Sequence, residues 1–286
     1  MRSRFLDWQG PIPFAHRGGA GDHPENTMAA FRAAVAMGYR HLETDVHLTR
    51  DGAVVAFHDS VLERVTDRRG RIEEVTTADL AEADAGYWFS RDGGGTFPHR
   101  GTGVRVPLLT ELLEEWPQAF LNIDTKSDAV VEPLATLLSR MDVLDRVCVG
   151  SFSDDRLRRF RALAGDGVCT SMGPRAITRA RLSSLTGRIP RQGALCIQLP
   201  VRQSGIPMVE PLMIRAAHRS GLAVHVWTID DGAEMERLLD LGVDGIMTDT
   251  LDTLRGVLRR RGAWHEDGAA PWRLTPSFVR RTNNEL

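Results

Sequence analysis

Short apolar runs alternate with amphipathic stretches along most of this 286-residue chain. Runs at residues 12–15, 41–48, 120–125, 147–152, 168–172, 195–199, 223–229 and 245–248 predict strands. Stretches with helical period follow at residues 27–37, 129–141, 154–163, 174–185, 211–220, 231–241 and 251–261. Only the second strand runs into something longer. Strand–helix alternation implies parallel strands joined by crossover helices. Eight such units in about 250 residues match a closed α/β TIM (β/α)8 barrel. An open doubly wound sheet is the rival fold, and the missing G-x-G-x-x-G after the first strand weakens it.

The excursion runs from residue 53 to residue 107. Residues 53–58 read as a strand after the Arg50-Asp51-Gly52 turn, so a hairpin extends the second unit. Residues 60–106 carry Arg68-Arg69-Gly70, Gly93-Gly94-Gly95 and Gly101-Thr102-Gly103, with helical period only around 77–84. This segment reads as a lobe or lid inserted after the second strand; for its glycine-rich half, a floppy surface insertion is the competing reading. The organisation expected is therefore one domain over 1–286, with a barrel core at about 12–261, a lobe at about 60–106 and an irregular tail at 262–286. In that tail, Pro271-Trp272-Arg273 is expected to dock on the barrel.

Composition narrows the class. Hydrophobic residues make up 42% and charged residues 26%, as in a soluble globular protein. The net charge of −2 gives no global pull toward nucleic acid or an anionic membrane. No segment is apolar for long enough to span a bilayer, and Asp7 interrupts the N-terminal apolar residues, so no signal peptide is expected. Three cysteines, Cys148, Cys169 and Cys196, sit in apolar runs and are expected to be buried free thiols. A cytoplasmic protein is the resulting expectation. Of 36 basic residues, 35 are arginine, a codon bias that makes the single lysine, Lys126, call for a specific explanation.

Chemistry concentrates near the predicted C-terminal ends of the strands, where barrels of this type place their active sites. His16 and Arg17 end the first strand, and Glu43 and Asp45 lie two apart in the second, on one face. Two adjacent acids repel unless a cation, a proton or solvent relieves them. Asp124 and Lys126 share one face at the end of the third strand. A single acid on a strand is more often a salt-bridge partner, but Glu43, Asp45 and Asp124 converging in a barrel suit one hard divalent ion, Mg²⁺ or Ca²⁺. His16 and His58 each terminate a strand and form an acid–base pair for phosphoryl transfer. Arg17 forks onto a phosphate and also pairs with Glu25, while Lys126 adds a point charge. Asn26 reads as the N-cap of the helix at 27–37. Trp227 either walls the carbon part of a substrate or packs the barrel. Of the other histidines, His41, His47 and His225 lie on strands, and His23, His99, His218 and His265 read as surface or lid residues.

The blocks His16-Arg17-Gly18, Pro24-Glu25-Asn26-Thr27, Glu43-Thr44-Asp45-Val46, Thr49-Arg50-Asp51-Gly52 and Phe57-His58-Asp59 resemble those of the glycerophosphodiester phosphodiesterase family. So do Asn122-Ile123-Asp124-Thr125-Lys126, Val226-Trp227-Thr228-Ile229 and the run from Gly242 to Asp249. The resemblance spans residues 14–258 or so. It implies a TIM barrel with an insertion after the second strand, metal ligands at Glu43, Asp45 and Asp124, an acid–base pair at His16 and His58, and phosphate contacts from Arg17 and Lys126. One position departs: the third-strand acid is often Glu in the family and is Asp124 here, which bears on coordination number and metal preference.

The expected reaction is hydrolysis of a small-molecule glycerophosphodiester to sn-glycerol 3-phosphate and an alcohol, without nucleic acid and without stable membrane insertion. Two alternatives stand beside it: a phospholipase D-like phosphodiesterase acting on choline lipids, and a barrel that binds phosphodiesters without cleaving them.

Overall fold

A computed structural model describes residues 3–165 and 167–265. Eight parallel strands carry the architecture: β1 (Ile12–Ala15), β2 (His41–Leu48), β4 (Phe120–Thr125), β5 (Val147–Gly150), β6 (Cys169–Thr170), β7 (Cys196–Pro200), β10 (Ala223–Trp227) and β11 (Gly245–Thr248). Their order in the sheet is β6-β5-β4-β2-β1-β11-β10-β7. An isolated parallel bridge between Ser171 and Cys196 joins the two ends. The result is a nearly closed TIM barrel, as the alternation predicted. A short strand β3 (Val54–Ala56) pairs antiparallel with β2, and β8 (Arg202–Gln203) with β9 (Ile206–Pro207) forms a small hairpin.

Helices α1 (Met28–Ala36), α4 (Val131–Arg140), α5 (Asp154–Ala164), α6 (Pro174–Ser183), α7 (Pro211–Arg219), α8 (Gly232–Leu241) and α9 (Leu251–Arg260) follow successive barrel strands. After β2 the inserted lobe, which carries a short helix α2 (Thr77–Ala81), intervenes before α3 (Leu109–Glu115). In a parallel barrel both faces of each strand are covered, but by different things. On β2, Leu42 and Val46 point outward into the large apolar layer between strands and helices. On the alternate positions His41, Glu43 and Asp45 are likewise buried. Those alternate positions can hold acids because they line the barrel's interior.

The lower interior is filled by Phe5, Ile12, Phe14, Phe120, Met247 and the three cysteines. Phe5 reaches in from a 3₁₀ turn, Arg4–Leu6, and plugs the bottom, its ring 5.1 Å from His41 and 6.1 Å from Phe120. The inserted segment builds a small core of its own from Val55, Phe57, Leu62, Ile72, Leu80, Ala85 and Val106. Gly93, Gly94, Gly95, Gly101 and Gly103 lie exposed at its edge. Among the described residues, no helix is long and apolar enough to cross a membrane. The tail from residue 266 onward, including Pro271-Trp272-Arg273, lies outside the described residues.

Strands β5 and β6 are among those that end before their hydrophobic runs do. Strand β5 ends at Gly150 and β6 at Thr170, although the runs continue to Phe152 and Met172. Phe152 and Met172 instead line the cavity at the barrel mouth, so their hydrophobicity serves the pocket and not the ladder.

Candidate active site

The C-terminal end of the barrel opens into a cavity of about 520 Å³. His16, Arg17, Glu43, Asp45, His58, Asp124, Lys126 and Trp227 all line it. Glu25 stands behind that lining, held to Arg17 Nη1 at 3.0 Å. All nine residues singled out from the sequence therefore meet at one end of one barrel.

The chain after β1 turns sharply to make this possible. Arg17 adopts a left-handed backbone (φ 50°), an unusual state for a residue with a Cβ. The turn aims its N–H at Glu43 Oε2, 3.0 Å away. Gly18 follows at φ 84°, and a Cβ there would lie 2.8 Å from that of Ala30, so the turn packs against α1 only with glycine. Asn26 is not the N-cap of α1; Thr27 is, accepting from the Ala30 N–H. Asn26 sits left-handed instead (φ 54°), donates to Asp45 Oδ2 at 3.0 Å and accepts from the Thr44 hydroxyl at 2.7 Å. It fixes the orientation of Asp45, a role its place before a helix concealed.

Each histidine has its own carboxylate. His16 Nδ1 lies 2.8 Å from Asp249 Oδ1, and His58 Nδ1 lies 2.5 Å from Asp59 Oδ1. With Nδ1 held by an acid, Nε2 is the nitrogen free to exchange a proton with a guest. Asp249 and Asp59 had no assigned role in the sequence reading, although both belong to its motif blocks. Arg64, from the lobe, bonds both Asp59 and Glu25, at 2.5 and 2.6 Å. The lobe thus ties the two sides of the mouth together: His58 to Asp59, Arg64, Glu25 and Arg17. His47 also contributes, its Nε2 lying 3.1 Å from the carbonyl oxygen of His58. His41 and His225 are buried below the cavity, and His218 and His265 bond Asp244 and the Gln9 carbonyl. His23 meets His99 of the lobe edge to face, ring centres 5.9 Å apart.

Electrostatics separate the three acids. Glu43 and Asp45 are 4% and 2% exposed and belong to one tightly interacting pair. Burial and the neighbouring Asp45 charge push Glu43 up to about 7. Burial opposes ionisation of Asp45 too, but Lys126 and Arg17 outweigh it and hold that carboxyl down. Burial raises Asp124 against the pull of Lys126. His16 is raised: Glu43 and Asp249 overcome the effect of its burial. Lys126, the sole lysine, bridges Asp45 Oδ1 at 2.7 Å and Asp124 Oδ2 at 2.6 Å. A compact ammonium fits between two carboxylates where a planar guanidinium would not.

Do these acids suit a divalent ion? Three buried carboxylates face one cavity against the two cations Arg17 and Lys126. Asp124 Oδ1 is buried without a hydrogen-bond partner, although carboxylate oxygens in a protein interior are normally satisfied. An oxygen-rich, anionic, partly unsatisfied donor set fits a hard cation. The three acids are not drawn into one tight cluster: among the described residues, the group of three whose ligand atoms all lie within 4.8 Å is the cysteines. Lys126 stands across Asp45 and Asp124, and an ion binding there would displace its ammonium.

Above the acids the wall turns apolar. Trp227 packs edge-on to Phe152 at 5.7 Å, and Phe152 in turn lies 5.6 Å from Lys126 Nζ. Phe152 is 64% exposed at the cavity mouth, so its ring is open to a guest. Its place at the end of an apolar run, residues 147–152, reads as strand and conceals this role.

The sequence model of the glycerophosphoryl diester phosphodiesterase family matches residues 16–253. The chain belongs to that family. A probable glycerophosphodiester phosphodiesterase of Mycobacterium tuberculosis is 37% identical over 275 residues, covering 93% of this chain and 96% of that protein. The crystal structure of a putative glycerophosphoryl diester phosphodiesterase from Silicibacter pomeroyi superposes with a TM-score of 0.77 at 24% identity, covering 92% of this chain and all of that one. A phosphodiesterase from Oleispira antarctica, solved with the product sn-glycerol-3-phosphate, superposes at 0.72 with 25% identity, covering 87% and 97%. The chain is therefore a phosphoric diester hydrolase of the glycerophosphodiester phosphodiesterase type, and the non-catalytic barrel is set aside.

Proposed function

We propose that this enzyme hydrolyses glycerophosphodiesters to sn-glycerol 3-phosphate and an alcohol, with His16 and His58 as its acid–base pair. The observation that carries the reading is that both histidines line one cavity and each has Nδ1 held by its own aspartate. Arg17 and Lys126 bind the anionic phosphoryl oxygens. One imidazole Nε2 takes the proton from a glycerol hydroxyl as that oxygen bonds to phosphorus. The bond from phosphorus to the departing alcohol breaks, and the second imidazole gives that oxygen its proton. Water then opens the cyclic phosphate with the roles reversed; in the alternative route the first imidazole takes a proton from a water that attacks phosphorus directly as the alcohol leaves. Glu43, Asp45 and Asp124 would hold one Mg²⁺ or Ca²⁺, which when bound supplies Lewis-acid stabilisation of charge on the phosphate. A cytoplasmic location accords with the three free thiols.

Glycerol 3-phosphate release from glycerophosphocholine, glycerophosphoethanolamine and glycerophosphoglycerol tests this, first in chelator and then with Mg²⁺, Ca²⁺ or Mn²⁺ restored singly. The expected result is turnover lost in chelator and regained with one ion. Undiminished turnover in chelator would overturn the metal reading. Cleavage of choline phospholipids in preference to glycerophosphocholine would replace the substrate class by that of the phospholipase D-like alternative.

A further inference from the structure

One layer below the catalytic cavity, the barrel interior holds a second cluster of metal-ligating side chains. Cys148 on β5, Cys169 on β6 and Cys196 on β7 are all fully buried. Their sulfur atoms lie within 4.8 Å of one another, and Cys148 Sγ is 3.6 Å from Cys196 Sγ. Tetrahedral zinc with Zn–S bonds of about 2.3 Å holds its sulfurs about 3.8 Å apart. The spacing between Cys148 and Cys196 is thus already that of a shared ion.

A fourth side chain faces the same layer. His225 stands on β10, the strand beside β7, two residues above the register partner of Cys196 and so on the same inward face. It is fully buried, with the tilted ring of Phe14 4.9 Å away, and neither ring nitrogen has a hydrogen-bond partner. Buried thiols alone need no explanation, since cysteine packs as a small apolar residue. A buried imidazole with both nitrogens unsatisfied does, because such a group carries a full desolvation cost.

We infer that Cys148, Cys169 and Cys196 form a structural site for a single thiophilic ion, Zn²⁺, inside the barrel, completed as Cys₃His when His225, which stands outside the 4.8 Å sulfur cluster, turns toward it. Its ligands come from four consecutive staves, β5, β6, β7 and β10. They straddle the weakest seam of the sheet, where β6 is two residues long and meets β7 only through the bridge between Ser171 and Cys196. The ion clasps that seam in place of the ladder bonds that are missing. Binding releases the thiol protons to solvent. Softness separates this site from the catalytic one: thiolate and imidazole take zinc, whereas the carboxylates above take a hard cation.

The test is elemental analysis of the untagged full chain, purified without added metal and dialysed against EDTA. A single zinc per chain should survive dialysis and be released on unfolding. It should persist in the Asp124→Asn variant and vanish in Cys169→Ser. If Cys169→Ser fails to fold, wild type refolded with Co²⁺ gives a second reading: thiolate-to-cobalt charge-transfer absorption in the near ultraviolet. Zinc-free folded wild type whose Co²⁺-refolded form lacks that absorption would overturn the site. Loss of zinc in Asp124→Asn with retention in Cys169→Ser would do the same, by moving the ion to the carboxylates.

Discussion

Lys126 is the residue whose removal tests the electrostatics of the mouth most directly. Its ammonium neutralises Asp45 and Asp124, whose side chains are 3% and 13% exposed, at 2.7 and 2.6 Å. In Lys126→Met the methylenes stay and the charge goes, leaving two carboxylates facing one another with only Arg17 Nε, 3.1 Å from Asp45, as counter-charge. Removing one partner of a buried pair costs about 3–5 kcal/mol, because the remaining charge is uncompensated. Asp124 is already raised by burial and can relieve part of this by taking a proton, so the lower end, about 3 kcal/mol, applies. At roughly 2 °C per kcal/mol for a chain of this size, the melting temperature in EDTA should fall by about 6 °C. Divalent ions should then behave differently in the two proteins. In wild type an incoming ion must displace the ammonium; in the variant it meets bare carboxylates. Saturating Mg²⁺ or Ca²⁺ should therefore raise the variant's melting temperature by more than wild type's, about 2.7 kcal/mol of stabilisation being reached at a hundredfold excess over Kd. Calorimetry with and without the ion reads both effects. A variant within 1 °C of wild type in EDTA would show that the carboxylates are solvated and that the ammonium does not hold them. Equal gains with metal would show that the ion binds elsewhere.

Other outcomes follow from the same geometry. His16→Ala and His58→Ala should each lower kcat by about 10²–10⁴ with KM little changed, and either variant turning over within threefold of wild type would remove that histidine from the reaction. Phe152→Ala should raise KM for glycerophosphocholine about two- to fivefold relative to glycerophosphoglycerol, the loss of roughly 0.5–1 kcal/mol of cation–π contact at an exposed ring; an unchanged ratio would take the ring out of head-group recognition. Burial lowers His41 to about 3, so the unfolded chain binds a proton there that the folded one does not. The stability contributed by neutral His41 is complete above pH 6.5 and is lost as pH falls toward 3. It should decline by about 2 kcal/mol between pH 6.5 and 4.5. His41→Gln keeps a donor for the Phe5 carbonyl, and urea midpoints at both pH values should show a smaller pH dependence; the same slope in both proteins would refute the assignment.

What was legible in the sequence is what repeats locally. Outward positions such as Leu42, Val46, Leu121 and Ile123 had to be apolar to meet the helices, and the inward positions between them, Glu43, Asp45 and Asp124, then stood out as acids with period two. Contacts between staves were not legible, because they depend on the register at which distant strands pair. His16 and Asp249 are 233 residues apart and meet because β1 and β11 align residue for residue, Ala15 beside Thr248. Arg64 reads as an ordinary lobe arginine until the lobe folds back onto Glu25 and Asp59. Phe152 and Met172 looked like strand because apolarity alone does not distinguish a ladder from the wall of a pocket.

That register dependence also explains where the barrel is firm. The first acid–base pair exists only if the last strand closes against the first, so function needs closure at β1 and β11. That contact is made along all four residues of both strands, and β2 pairs with β4 over six. The sparse seam between β6 and β7 carries neither histidine, neither imidazole-bound aspartate and none of the three acids. Opening at that seam would disturb the floor beneath Gln198 and Ser171 while leaving the proton-transfer groups in register. Asp45 and Asp124 sit on the longest pairing, that of β2 with β4, whereas Cys169 and Cys196 flank the shortest, the single bridge between Ser171 and Cys196. The seam that the ladder leaves almost unpaired, between β6 and β7, is flanked by Cys169 and Cys196, side chains that a metal could hold together.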